Sequence, residues 1–279
     1  MAKAKAKLTI VQSAAPQVTC ALEYITPDLA KEWLELLDEN RKYSGASGEA
    51  YARDMETGDW VVTNASIGFR EDGKLIDGQH RLRACVLSGR PFWCIVVRGL
   101  SAEAQDYIDC GRMRSFADRL AFGGLKEAWR VAAAARVIWG IKLGVSKLKG
   151  RSSPAELTNI VRRHPGLAAS CTGPVNLMTL RPAILSALHY IGHDILGECE
   201  AAETFMAAFH RVEPAYKGCA ASAFKEMLGQ ERMRHVRMER HKMLRIAIHV
   251  WNLHANRLPL NWKTIPDNPT IEGLDLARL

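Results

Sequence analysis

The chain has 279 residues, a formal net charge of +8 and a sequence pI of about 9.2. Hydrophobic residues make up 48% and charged residues 24%, which gives enough apolar side chains for a hydrophobic core. This composition argues against a membrane-spanning protein and against a small disulfide-rich protein. The basic charge favours a polyanionic partner, nucleic acid first, with ordinary solubility charge as the alternative.

Cysteine usage and the N-terminus both predict a cytoplasmic protein. The seven cysteines are scattered and form no Cys-x-x-Cys, which argues against a disulfide framework and against a cysteine-rich zinc site. Residues 1–7 are basic but lead into no apolar segment of a signal peptide, so we expect a frayed basic arm. The most apolar stretch, 131–145, contains charged residues and is too short to cross a bilayer, so no membrane partner is expected.

Up to about residue 118 the sequence alternates strand and helix patterns, which predicts a small mixed α/β domain. Thr26-Pro27-Asp28 has the cap and the proline of a helix start, and Asp72-Gly73 lies between two β-prone runs as a strong hairpin signal. The predicted elements are a strand at 18–24, a helix from Pro27, a loop at 45–48, a helix at 50–55, strands at 66–70 and 74–76, a helix ending at Gly89, a strand at 92–97, and a helix capped by Ser101 that carries Asp106 and Asp109.

From about residue 119 onward the pattern is almost entirely helical. We therefore predict an α+β protein with two domains: a small mixed α/β domain at 1–118 and an all-helical domain at 119–279. The predicted helices of the second part are 127–143, 154–163, 183–191, 201–210, 220–228 and 231–254, followed by a proline-containing, irregular tail.

The segment Lys74–Ala84 has the pattern of an anion-binding turn. A short strand runs through Asp77-Gly78 into a helix, and glycine permits both a sharp turn and the close approach of a ligand. The first amides of a helix point outward and attract anions. His80 and Arg81 add two donors there, although cations at this helix end are unfavourable unless an anion is bound. Asp77 is a candidate helix cap, ribose ligand or metal ligand; a capped helix with a solvated polar surface is the alternative.

The segment Asp77-Gly78-Gln79-His80-Arg81 resembles the DGQHR branch of the ParB/sulfiredoxin superfamily, which occurs in phage and plasmid proteins and in DNA-modification systems. Upstream, Tyr51–Trp60 resembles the lead-in of the phage members. Downstream, Asp109–Ser115 resembles their Asp-x-Gly-x-x-Arg-Ser segment. The resemblance covers about residues 20–120 and suggests a phage or prophage origin.

The resemblance implies a small α/β fold in which Gly78, Gln79, His80 and Arg81 hold the phosphate of a nucleoside triphosphate, ATP or CTP, with Mg²⁺ as a companion ion. Sulfiredoxins have their catalytic cysteine where this chain has Gln79, so reduction of a sulfinic acid is not expected. Segregation-type ParB proteins have a glutamate there that supports metal-linked hydrolysis, so CTP specificity and hydrolysis stay open. If a bond is broken, Asp77 and His80 are the candidate catalytic residues.

A second polar cluster follows in the segment 109–115. Asp109, Arg112 and Arg114 are candidate ligands of the same nucleotide, or of a DNA phosphate, because they also match the family pattern. Ser115 is predicted to cap the next helix. The alternative is a simple loop between two helices.

A basic face is predicted on the helix 231–254. Arg234, Arg237, His241 and Arg245 recur at helical spacing and therefore share one side of that helix. Such a face can follow the phosphates of a DNA duplex, with a solvated surface as the alternative.

No metal site is predicted. His189 and His193 are four residues apart, a spacing that can hold zinc, but core or surface histidines are the favoured interpretation because the glutamate of a His-Glu-x-x-His motif is absent. Residues 154–171 have only a weak helix-turn-helix pattern.

Three functions remain in competition. The first is a nucleotide-linked, DNA-associated regulator or clamp, which requires DNA contacts and calls for a homodimer. The second is a nucleotide-dependent kinase or a nuclease, which requires a base or a metal carboxylate near Arg81. The third is a phage interaction protein with a vestigial site. The sequence favours the first because Gln79 replaces the acidic group.

Overall fold

The computed structural model describes residues 17–37, 45–108, 110, 114–144, 150–172, 180–210, 216–233 and 238–279. Helices and a sheet together confirm the predicted α+β class. The backbone contacts divide the chain into two compact units, Met1–Arg112 and Met113–Leu279, and each unit has its own hydrophobic core. Within the described residues, no helix is both long enough and apolar enough to cross a membrane.

A four-stranded sheet forms the centre of the first unit, in the order β1-β4-β2-β3. Strand β1 pairs antiparallel with β4, β4 pairs parallel with β2, and β2 pairs antiparallel with β3. The predicted hairpin at Asp72-Gly73 is confirmed, with Gly73 at φ 86°. The strands are β1 (Thr19–Ile25), β2 (Ile67–Arg70), β3 (Leu75–Asp77) and β4 (Phe92–Leu100).

Four helices accompany this sheet in the part of the first unit that the structure describes. The predicted helix start is confirmed, because the Thr26 side chain accepts a hydrogen bond from the Leu29 amide at 3.3 Å. The helix after the hairpin ends at Gly89 as predicted, with φ 63° at that residue. The helices are α1 (Pro27–Glu35), α2 (Gly45–Thr57), α3 (Gln79–Ser88) and α4 (Ala104–Tyr107).

Two local predictions in this unit are wrong. The segment Gly45–Gly48 is helical and not a loop, and Gly48 is buried within α2. Ser101 does not cap α4: its carbonyl accepts from the Ala104 amide at 3.1 Å in a preceding turn, and Glu103 occupies the cap position.

Among the described residues of the second unit, helices are the regular secondary structure, and the tail after Ala255 is mostly irregular, as predicted. The predicted Ser115 cap is confirmed as a capping box, since Ser115 and Asp118 each bond the backbone of the other. A short π-helix, Ile191–Leu196, continues α9. The α-helices are α5 (Phe116–Phe122), α6 (Ala128–Leu143), α7 (Pro154–Arg163), α8 (Leu167–Ser170), α9 (Pro182–Tyr190), α10 (Cys199–Ala208), α11 (Ala220–Met233) and α12 (Arg240–Ala255).

The predicted continuous helix from 231 to 254 is wrong. Helix α11 runs on to Met233, and α12 begins at Arg240 after Glu239, whose backbone is extended with ψ 148°. Met233, which a continuous helix would turn toward the core, is 82% exposed. Glu239 is the N-cap residue of α12, so a second helix begins here and the apolar pattern belongs to two helices.

Candidate functional site

The turn between β3 and α3 is closed by Gly78. Its backbone lies at φ 101°, ψ 0°, a conformation that L-residues with a side chain rarely adopt. A Cβ placed on Gly78 would lie 2.8 Å from Cγ1 and 3.1 Å from Cα of Ile67 on β2. The glycine is therefore required by the fold, because the neighbouring strand occupies the space that a side chain would need.

Hydrogen bonds around this turn orient the start of α3. The Gly78 carbonyl accepts from the Arg81 amide at 2.9 Å and from the Leu82 amide at 3.0 Å, so the helical bonding begins at Gly78. Asp77 Oδ1 accepts from the Gly78 amide at 2.7 Å. The carboxylate thus bonds the amide of the turn itself, at the positive end of the helix.

Arg81 is held at this helix end by two oxygen atoms. Its Nη1 donates to the Ser66 carbonyl at 2.9 Å and lies 3.8 Å from Asp77 Oδ2. The side chain is 17% exposed. Within the described part of the chain Nε and Nη2 make no further hydrogen bond, so part of the guanidinium fork is available to an anion.

Cys94, a buried thiol on β4, lies close enough to Arg81 and Asp77 for their charges to affect its pKa. Burial raises the pKa of Cys94, the charge of Arg81 lowers it, and the charge of Asp77 raises it. The Cys94 thiol donates to the Ala65 carbonyl at 3.7 Å. Neither Ser66 nor Cys94 belongs to the Asp77–Arg81 motif, and sequence reasoning missed both because the sheet brings them to the turn.

The other two motif residues differ in exposure. Gln79 is buried, at 4% exposed, whereas His80 is half-buried. A ligand at the turn therefore meets more of the His80 side chain than of the Gln79 side chain. Asp77, Gly78, Gln79, His80 and Arg81 are thus brought together at one strand-to-helix junction.

The remaining predicted ligands of a nucleotide are not gathered at this junction by the described structure. Asp109 and Arg112 lie outside the described residues. Arg114 belongs to the second unit, where its guanidinium lies 5.3 Å from the centre of the Phe122 ring, a cation–π contact.

The predicted basic face is described only in part. Arg234 and Arg237 lie outside the described residues. His241 and Arg245 are on α12, one turn apart. His241 Nδ1 is 3.2 Å from a Glu239 oxygen, and Arg245 Nη1 is 2.7 Å from an Asp267 oxygen, so both side chains already have acidic partners.

The histidines spaced four apart stack with ring centres 5.6 Å apart. His189 contacts Ser170 Oγ at 2.9 Å through Nδ1 and Glu203 Oε1 at 3.3 Å through Nε2. Among the residues that the structure describes, no group of three or more histidine, cysteine, aspartate or glutamate side chains could hold a metal ion.

Fold and site define an α+β protein in which a glycine turn and an arginine stand at the N-terminal end of a helix that follows a strand. No family model, no curated protein and no solved structure matches the chain. The function is therefore inferred from the chemistry of the site and from the sequence motif.

Proposed function

We propose that this chain is a nucleotide-binding, DNA-associated ParB-like protein, a regulator or clamp, that holds a nucleotide phosphate at Asp77–Arg81. The observation that carries the proposal is the position of Arg81 beside the Gly78 turn, at the N-terminal end of α3. A helix N-terminus and a guanidinium both favour the binding of a phosphate.

The contacts of Arg81 support a preorganised anion site. The Ser66 carbonyl and the Asp77 carboxylate both contact Nη1, so the guanidinium is held in place before a ligand arrives. Holding the fork in one orientation reduces the entropy lost on binding. A phosphate that meets Nε and Nη2 then receives two parallel charge-assisted hydrogen bonds.

The contacts of Asp77 favour a clamp or regulator over an enzyme. Its two carboxylate oxygens contact the Gly78 amide and the Arg81 guanidinium, which gives the side chain a positioning role. An enzyme requires a free base or metal carboxylate at this place. Gln79 supplies an amide where segregation-type relatives have an acid, which leaves His80 as the remaining candidate for proton transfer.

Calorimetric titration tests the proposal. The purified protein is titrated with ATP, CTP, GTP and UTP, with and without Mg²⁺ and a DNA duplex, and the mixtures are analysed for products. Saturable binding of one nucleotide that stays intact supports the clamp or regulator. Turnover of the bound nucleotide or cleavage of the DNA indicates the kinase or nuclease alternative. Absence of binding under every condition contradicts the proposal and favours the phage interaction protein with a vestigial site.

The DNA part of the proposal predicts a change in salt dependence. Replacing Arg234 and Arg237 by Glu is expected to weaken DNA binding at low salt and to reduce the slope of log K against log salt by about two, roughly one for each phosphate that is no longer neutralised. Fluorescence anisotropy at several salt concentrations measures this slope. The matched control reverses two exposed lysines, Lys217 and Lys263, with the same change in net charge. Equal slopes in the two double variants would remove this segment from the DNA interface.

A further inference from the structure

A cysteine and a histidine in the second unit form a close pair. Cys219 lies directly before α11, and its Sγ is 3.6 Å from Nδ1 of His254 on α12. Both residues are buried, at 3% and 2% exposed. The pair stands apart from the Asp77–Arg81 turn in chemistry, because it combines a nucleophile with a base.

The imidazole of this pair is oriented by neighbours on both sides. His254 Nε2 lies 3.0 Å from Thr204 Oγ1, and Nδ1 lies 3.3 Å from the Tyr216 hydroxyl. The Tyr216 hydroxyl also donates to the His254 carbonyl at 3.3 Å. A base whose second nitrogen is fixed by a third group is the arrangement that activates thiol nucleophiles.

Cys219 also occupies the cap position of a long helix. Its carbonyl accepts from the Ala223 amide at 3.1 Å, and α11 has 14 residues, so the sulfur lies at the positive end of a helix dipole. Burial raises the pKa of the Cys219 thiol, but the hydrogen bond with His254 and the backbone amide of Ser222 outweigh burial and lower the pKa to about 6.

The other buried cysteines contrast with this one. Burial raises the pKa of both Cys85 and Cys171 to about 11, and it also raises the pKa of Cys94. Burial alone therefore disfavours the thiolate form of these three side chains. Cys219 is thus distinguished from thiols of similar burial by its partners.

A cleft of about 510 Å³ lies against the pair. Three side chains that orient or form the pair also line the cleft: Thr204, Tyr216 and His254. Glu200 and Arg257 at its rim are paired at 3.0 Å, and Glu198 is the other charged residue of the lining. Cys219 does not itself line the cleft; its sulfur contacts His254, whose residue is part of the lining.

We propose that Cys219 and His254 form a reactive thiol–imidazole site that exchanges with small-molecule disulfides entering through this cleft. The Cys219 sulfur attacks one sulfur of the disulfide, a new S–S bond forms, and the original S–S bond breaks. The departing half leaves as a thiolate and takes the proton that the cysteine had given to His254. The product is a mixed disulfide on Cys219 and one free small thiol. This site is independent of the proposed nucleotide function.

Site-resolved kinetics with dithiodipyridine test the proposal. The full chain is reacted over pH 5.5–8.5 and quenched in acid, and the modified cysteines are identified by mass spectrometry. At pH 6 we expect Cys219 to react about tenfold faster than the exposed Cys20, Cys110 and Cys199, because its larger thiolate fraction outweighs its lower intrinsic nucleophilicity. The reaction rate of Cys219 should become constant near pH 7, whereas the rates of the exposed cysteines should still rise with pH. An unmodified Cys219, or one that follows the pH profile of the exposed cysteines, overturns the proposal.

Variants test whether the fast reaction depends on Cys219 and on its partner His254. Cys219→Ser should remove the fast reaction, and His254→Gln should move the Cys219 profile up toward that of an ordinary thiol. The matched control is His193→Gln, a half-exposed histidine of the same unit, which should leave the Cys219 profile unchanged. If His254→Gln does not fold, the pH profile of the unmodified sequence still decides the question, and Thr204→Val tests the orientation of the ring.

Discussion

Arg81→Ala is expected to abolish detectable nucleotide binding, with a loss of affinity of about 100-fold or more. The guanidinium is the group that meets the phosphate, and two charge-assisted hydrogen bonds to one anion account for a loss of that size, about 2.7 kcal/mol. Calorimetric titration with the nucleotide that the unmodified protein binds measures the change. Arg81→Lys keeps the charge and loses the planar fork, so it should recover only part of the affinity.

The control for this variant is Arg83→Ala, which removes an exposed arginine two residues along the same helix. Residues two positions apart on a helix lie on nearly opposite sides, so Arg83 is not on the side of Arg81. The loss of Arg83 should therefore leave the nucleotide affinity nearly unchanged. Circular dichroism should show both variants folded, because Asp77 keeps its bond to the Gly78 amide without Arg81. Unchanged affinity in folded Arg81→Ala would eliminate this turn as the nucleotide site.

Local features of the first unit could be predicted from the sequence because their causes lie within a few residues. The Thr26 cap, the Asp72-Gly73 hairpin and the Gly89 helix end each depend on short-range backbone chemistry, and all three are confirmed. The predicted Ser101 cap also depends on short-range chemistry, but this prediction is wrong. The Ser101 carbonyl closes a turn with the Ala104 amide, and the helix begins after that turn.

The surroundings of the candidate site could not be predicted in the same way. The Ser66 carbonyl contacts Arg81 from 15 positions away, and Cys94 reaches the same pair from another strand. These contacts are created by the register of the sheet, which a strand pattern does not determine. The pairing of Cys219 with His254 is similar, since the two residues are 35 positions apart and meet through helix packing.

Gly78→Ala is expected to destabilise the protein by about 3 kcal/mol, which combines a strained backbone with an overpacked contact. One part of this loss of stability is the backbone strain of a side chain at a φ of 101°. The other part is a steric clash with Ile67, since the added methyl group would lie 3.1 Å from its Cα, a backbone atom that cannot rotate away. Chemical denaturation of both proteins measures the difference in the free energy of unfolding.

Gly73→Ala provides the matched comparison for this contact. Gly73 has a similar φ of 86°, but a Cβ there would meet no atom within 4 Å, so only the backbone strain of about 1–2 kcal/mol applies. The excess cost at Gly78 therefore measures the packing of the turn against β2. Equal losses at the two glycines would show that Ile67 moves aside.

Because Gly78 is required by the fold with or without a ligand, loss of binding in Gly78→Ala could arise from unfolding alone. Arg81 is thus the residue whose replacement reports on phosphate binding.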